Sequence, residues 1–232
     1  MAQLVSSKNL LLSSNPLAVG VVSQAEVLIS LPSDLTGECD AIELRLDQLG
    51  MAPEAIRTAV AGQRVPILLT ARHPAEGGQA SGSAAERMAL IEPLLDLASL
   101  IDVELRSIGE MKPLIDKARA CGVPVVGSFH DFQATPADEV LEGAIGFAEN
   151  AGIDTVKIAT FVNTTQDLIR LVNLVSARRR LRLSVMGMGT WGRVSRLLLA
   201  KCGSLLNYGF LGGSNAPGQW PVARLKSLLA EI

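Results

Sequence analysis

A chain of 232 residues with 48% hydrophobic and 3% aromatic side chains and 21 glycines suits one α/β domain with an aliphatic core, as a parallel sheet requires. Its 21 basic and 23 acidic side chains leave a net charge of −2 and no basic stripe to track a phosphate backbone, which argues against a nucleic-acid partner. Cys39, Cys121 and Cys202 are an odd, widely spaced set without metal-binding spacing, expected to be free, buried thiols in a reducing compartment.

The opening MAQLVSSKNLLLSSNP holds a short apolar patch, Leu10 to Leu12, without a small-residue cleavage site, and reads as no signal peptide. No apolar run reaches the ~18 residues of a membrane span, so a soluble, cytoplasmic protein without a membrane partner is expected. From there, strand-like apolar runs recur: Leu17 to Val22, Ala41 to Leu46, Val65 to Thr70, Leu100 to Leu105, Val125 to His130, Thr155 to Ala159, Leu181 to Met188 and Leu205 to Phe210. Helical periodicity fills the gaps at Pro53 to Ala61, Ala84 to Ala98, Ile108 to Ala120, Ala137 to Ala151, Thr165 to Ala177, Arg193 to Cys202 and Pro221 to Ala230, with Gln24 to Ile29 available for the first slot. Gly62, Gly122, Gly152 and Gly203 stand where helices should stop. Strict alternation predicts a parallel sheet, and eight repeats predict a (β/α)8 TIM barrel, one domain over residues 1–232. An open doubly wound sheet is the alternative, but no strand-to-helix turn carries G-x-G-x-x-G or a P-loop.

In such a barrel the chemistry sits at the carboxyl ends of the strands. Glu43 and Arg45 are spaced i, i+2, as are Asp102 and Glu104, so each pair shares a face, and with helices outside, that face is the barrel interior. The third strand runs through Arg72 into a flexible loop with Glu76-Gly77-Gly78, and the fifth ends in His130-Asp131. The sixth carries Lys157 in an apolar run, where burial would favour the neutral, nucleophilic amine of a Schiff-base lysine. A lone lysine at a strand end more commonly snorkels to water. Five consecutive strands ending in charge or imidazole are harder to explain as scaffold. His130 is the better candidate of two histidines for a general base, His73 lying beside Pro74 in a solvated loop. Glu43, Asp102, Glu104 and His130 could bind a divalent ion, but Arg45, Arg72 and Lys157 in the same space would repel it. The cations point instead to an anionic substrate, most simply a carboxylate held by arginine.

Seven segments, IELRLD (42–47), LTARHPAEGG (69–78), IDVEL (101–105), SFHDFQATP (128–136), VKIA (156–159), MGMGTWGRVSR (186–196) and APGQ (216–219), resemble in order and spacing those of the type I 3-dehydroquinate dehydratases, the Schiff-base class of the shikimate pathway. The resemblance implies dehydration of 3-dehydroquinate to 3-dehydroshikimate in aromatic amino acid biosynthesis, by a homodimer with no cofactor and no metal. It implies that Lys157 forms an imine with the substrate ketone and that His130 moves the protons. It also implies that Glu76, favoured over Glu104, orients the imidazole. Glu43, Arg45 and Arg72 would hold hydroxyls, with Asp102 and Glu104 among the substrate-binding groups. Arg196 and Gln219 would bind the carboxylate, and Met186 and Met188 would floor the site. Asn215 stands where the family commonly has Ser, and Gly20 where it often has a small hydroxyl residue; Gly212-Gly213-Ser214 suits a lid. Two alternatives stay open: a barrel aldolase using Lys157, with GFLGG as a phosphate site, or a barrel that merely binds a small acid.

Overall fold

In the computed structural model, which describes residues 10–79, 82–214 and 218–232, every one of the eight apolar runs becomes a strand. They are β1 Leu17–Val22, β2 Ala41–Arg45, β3 Ile67–Thr70, β4 Leu100–Glu104, β5 Val125–Asp131, β6 Thr155–Phe161, β7 Arg182–Met188 and β8 Leu206–Phe210. Neighbours pair in parallel from β7 back to β1 and on to β8. At the remaining seam Leu205 N–H donates to Leu183 O at 2.8 Å and Leu206 N–H to Ser184 Oγ at 3.0 Å. This is the (β/α)8 barrel that the alternation predicts.

The helices are α1 Ala25–Ser30, α2 Leu46–Leu49, α3 Pro53–Ala59, α4 Ala84–Ile91, α5 Lys112–Ala120, α6 Asp138–Asn150, α7 Thr165–Ser176, α8 Gly192–Lys201 and α9 Val222–Leu229. Two depart from the periodicity. The run expected as one helix over Ala84 to Ala98 ends at Ile91 and continues as a 3-10 turn over Glu92–Leu97, because Pro93 has no N–H for the α ladder. The helix expected from Ile108 starts at Lys112, with Pro113 in its first turn, where a missing N–H is harmless. The short α2, closed by Gly50 at φ 60°, lies inside a stretch too brief for periodicity to reveal.

Alternation along the strands builds two apolar layers. Ile42, Leu44, Leu69, Val103, Ile158 and Val185 face outward and pack with the helices. Val19, Leu68, Leu100, Val126 and Leu206 face inward and fill the barrel below the site. Of the cysteines, all are free as expected, but only Cys39 is buried; Cys202 is half-buried and Cys121 exposed. Cys121 caps the end of α5, past the apolar stripe that would have covered it. Among the described residues no helix is long and apolar enough to cross a membrane.

Candidate active site

The carboxyl ends of the strands enclose a cavity of about 260 Å³, below the usual range for drug-sized ligands and suited to one small molecule. Val21, Glu43, Arg45, Arg72, Glu76, Gly77, His130, Phe132, Lys157, Ala159, Met186, Met188, Arg196, Tyr208 and Gln219 line it.

Strand register places Lys157 on the inner face, level with Ser128 of β5 and Ser184 of β7. Its side chain is buried, but not among aliphatic groups alone, as the sequence suggests. Nζ lies 3.1 Å from Glu43 Oε1 and 3.5 Å from Asp102 Oδ2, and 3.9 Å from the centroid of the Tyr208 ring. Two carboxylates and an aromatic face therefore hold the amine. Thr70 Oγ1 donates to the same Glu43 oxygen at 2.9 Å, which fixes that carboxylate.

Arg72 reaches from beyond β3 across the barrel. Its Nη1 and Nη2 meet Asp102 Oδ1 and Oδ2, each at 2.9 Å, and Nη1 also donates to Glu104 Oε1 at 2.9 Å and to Ser128 Oγ. Burial works against the charge on Arg72, but Asp102 and Glu104 outweigh it and hold the guanidinium protonated beyond its ordinary range. For Asp102, burial pushes the carboxyl up while Arg72 and Lys157 pull it down, and the net value lies below normal. Asp102 and Glu104, expected among the substrate contacts, do not line the cavity. The long Arg72 side chain lies over them, and Glu104 turns its second oxygen to the buried Arg87, 2.8 Å away. Glu43, Asp102 and Glu104 are thus each engaged by a cation of the protein.

His130, two residues beyond Ser128 on the same face of β5, meets Glu76. One oxygen, Oε2, accepts the backbone N–H of His130 at 3.0 Å and lies 2.9 Å from ring Nδ1. With Glu76 ionised, Oε2 accepts in both contacts, which puts the ring proton on Nδ1 and leaves Nε2 as the free base. Burial, then the charges of Arg72, Lys157 and Arg45, holds the imidazole well below its ordinary value, so it stays neutral. Burial raises the Glu76 carboxyl to about 7, with Arg72 opposing and Glu104 and Asp102 assisting.

Arg196 differs from every other buried cation here. Its Nε donates to Tyr208 O, and Nη1 to the carbonyls of Gly187, Gly192 and Gly218, at 2.8–3.0 Å. Among the described residues no carboxylate pairs with it. Burial lowers it only to about 10, so it remains charged at the cavity wall. A buried cation held by carbonyl dipoles at a cavity wall is suited to receive an anion from outside. Gln219 stands nearby, its Oε1 accepting from Ser214 Oγ at 3.4 Å. Asn215, and Ala80 and Ser81 of the glycine-rich loop, lie outside the described residues. Gly212 and Gly213 do not line the cavity. Gly20 faces Leu211 and Val222 in the outer layer, and Val21 is the β1 residue at the site.

Sequence reasoning missed Tyr208, Phe132 and Ser128. Ser128 and Phe132 are each two residues from His130 and so on its face, a period that points to both. Tyr208 is the one tyrosine of the chain, on a strand whose inward face was not assigned.

A cavity that brings together a buried primary amine with a carboxylate to take its proton, an imidazole and a guanidinium without a carboxylate partner could activate a carbonyl, remove a neighbouring proton and hold an anion. The model of the family described as Type I 3-dehydroquinase matches residues 18–232. The 3-dehydroquinate dehydratase of Methanosarcina barkeri is 32% identical over 224 residues, covering 91% of this chain and 92% of that one. That of Thermodesulfovibrio yellowstonii is 30% identical over 212 residues, with 90% and 92% covered. The crystal structure of 3-dehydroquinate dehydratase from Geobacillus kaustophilus superposes with a TM-score of 0.81 at 26% identity, covering 94% of this chain and 91% of that one.

Proposed function

The chain belongs to the type I 3-dehydroquinase family, and from that premise we propose that it dehydrates 3-dehydroquinate to 3-dehydroshikimate with Lys157 as its Schiff-base amine. The observation that carries the assignment of roles is the buried amine of Lys157 facing one small cavity with the free Nε2 of His130 and the carboxylate-free Arg196.

Arg196, with Gln219, takes the substrate carboxylate, and Arg45 and Glu43 take hydroxyls. Lys157 gives up a proton, for which Glu43 Oε1 is the nearest acceptor, and attacks the ketone; the ketone oxygen leaves as water and an iminium remains. The iminium draws electrons from the adjacent carbon, so His130 Nε2 can take that carbon's proton and leave an enamine. The enamine expels the hydroxyl one carbon further on, His130 returns its proton to it, and it departs as water. Hydrolysis of the conjugated iminium consumes one water, releases 3-dehydroshikimate and restores the amine, so one water is lost in the cycle. Met186, Met188 and Ala159 offer an apolar wall that keeps the iminium from early hydrolysis. A cytoplasmic homodimer without membrane or nucleic-acid partners completes the reading: free cysteines suit a reducing compartment and a net charge of −2 suits no phosphate backbone, while the dimer is what the family resemblance implies.

The test is borohydride reduction in the presence of 3-dehydroquinate, followed by peptide mass spectrometry. The mass of the reduced adduct is expected on Lys157, and is expected to be absent from Lys157→Ala. His130→Ala should still be trapped while turnover falls by roughly 10² to 10⁴-fold. Label on another residue, or normal turnover without His130, would overturn the assignment.

A further inference from the structure

Asp47, the first polar residue past β2, has a side chain with no exposed surface and four donors around its two oxygens. Oδ1 accepts Arg45 Nε at 2.9 Å and the backbone N–H of Arg72 at 3.2 Å. Oδ2 accepts Arg45 Nη2 at 2.8 Å and the backbone N–H of Gln79 at 3.1 Å. Arg45 Nη2 also donates to Gly77 O at 3.2 Å. Arg72 and Gln79 are the two ends of the turn whose middle carries Glu76. Within that turn Glu76 N–H and Gly78 N–H both close on His73 O, at 2.9 and 3.1 Å. The fold is tight enough that a Cβ on Gly78 would lie 1.9 Å from Arg72 O. One carboxylate therefore closes the turn that delivers Glu76 to His130, and the same carboxylate fixes the guanidinium of Arg45 at the cavity wall.

We infer that Asp47 is a positioning residue for the reaction: by clamping both ends of the 72–79 turn it holds Glu76 Oε2 against His130 and so keeps the ring's Nε2 aimed at the substrate. It does not touch the substrate; it acts through Glu76 and Arg45. The inference rests on the roles proposed above for His130 and Glu76. A carboxylate is needed because all four groups donate. An amide offers one acceptor oxygen, and its NH₂ would face N–H groups, so Asp47→Asn must release part of the clamp while keeping the side chain's size.

For Asp47→Asn we expect kcat to fall at least tenfold, the borohydride adduct on Lys157 to form to the parental extent, and the pH midpoint of kcat to move. A scaffold role alone would lower Tm and leave the midpoint in place. Combination with Arg45→Ala separates the two routes: a further loss of at least threefold in that background is expected if the turn is what Asp47 holds. Gly78→Ala forces the same turn open with Asp47 intact and is expected to give the same pattern, which keeps the test available should Asp47→Asn not fold. Turnover within twofold of the parent, an unmoved pH midpoint, or a loss that vanishes in the Arg45→Ala background would each overturn the inference. No adduct on the parent enzyme would remove the proposed roles and this inference together, whereas a normal adduct with unchanged turnover in the variants would remove this inference alone.

Discussion

At the scale of single residues, the shared proton of Glu76 and His130 sets the pH response. Glu76, raised to about 7 by burial, passes from neutral acid to carboxylate within the working range, while His130 stays neutral above a much lower value. A carboxylate facing Nδ1–H strengthens Nε2 as a base; a neutral carboxyl does so far less. We therefore expect kcat to rise with pH through an apparent value near 7 that belongs to the pair. In Glu76→Gln that rise should disappear and kcat should fall at least about tenfold. Steady-state profiles of the two enzymes check this; a parental rise surviving in the variant would assign it to another group. The residue types of this site were legible in the sequence: Lys157, His130, Glu76 and Arg196 all line one cavity. What stayed hidden was reach. Spacing places Asp102 and Glu104 on the inner face, but it cannot tell that Arg72 from the neighbouring strand lies over both. Nor can it tell that Lys157 meets Glu43, 114 positions away in the chain.

At the scale of elements, each strand was readable because an aliphatic run bounded by turn residues has few other uses in a chain of this composition. Helix limits were harder, since Pro93 ends a ladder and Pro113 sits in the first turn of one, and the apolar period runs straight through both. The best-defined start belongs to α7. Thr164 Oγ1 accepts Asp167 N–H at 3.2 Å and Asp167 Oδ2 accepts Thr164 N–H at 2.9 Å, a reciprocal capping box. Thr164→Ala removes one half of it and should cost about 1 kcal/mol, lowering Tm by roughly 2–4 °C for a domain of this size. The KM for 3-dehydroquinate should not change, because neither capping residue lines the cavity. Calorimetry and steady-state kinetics on the same preparation separate the two effects. A changed KM would mean that the start of α7 is coupled to the site.

At the scale of the whole molecule, a charged interior sits on an aliphatic floor, and its protons govern how the fold responds to acid. His130 has a folded value below its unfolded 6.5, so as pH falls below 6.5 the unfolded chain takes up a proton the folded chain refuses, and stability drops. Glu76 has a folded value of about 7 against an unfolded 4.5. As pH falls from 7 to 4.5 the folded chain holds a proton the unfolded chain releases, and stability rises. The two oppose each other over most of that window. Asp102 has a folded value below its unfolded 3.8, so it stabilises the fold above 3.8 and that contribution is lost as pH falls through the folded value. Urea midpoints are therefore expected to change little between about pH 7 and 5 and to drop steeply below about 4. A steep decline already beginning near pH 6 would mean that His130, not the Arg72 network, dominates. The barrel itself was readable from the alternation of elements. Its closure followed from the count of eight units, but the contacts that make the seam did not, because Leu205 and Ser184, which join β7 to β8, have no distinctive pattern.

Arg196 enters the barrel wall on carbonyl dipoles alone, and dehydration does not alter the carboxylate that it is positioned to hold. In the proposed role the handle would grip the unsaturated acid on its way out as firmly as the hydroxylated one coming in. Under the proposed roles such a contact would favour neither hydration nor dehydration, and the balance between the two acids at equilibrium would be a property of the acids themselves.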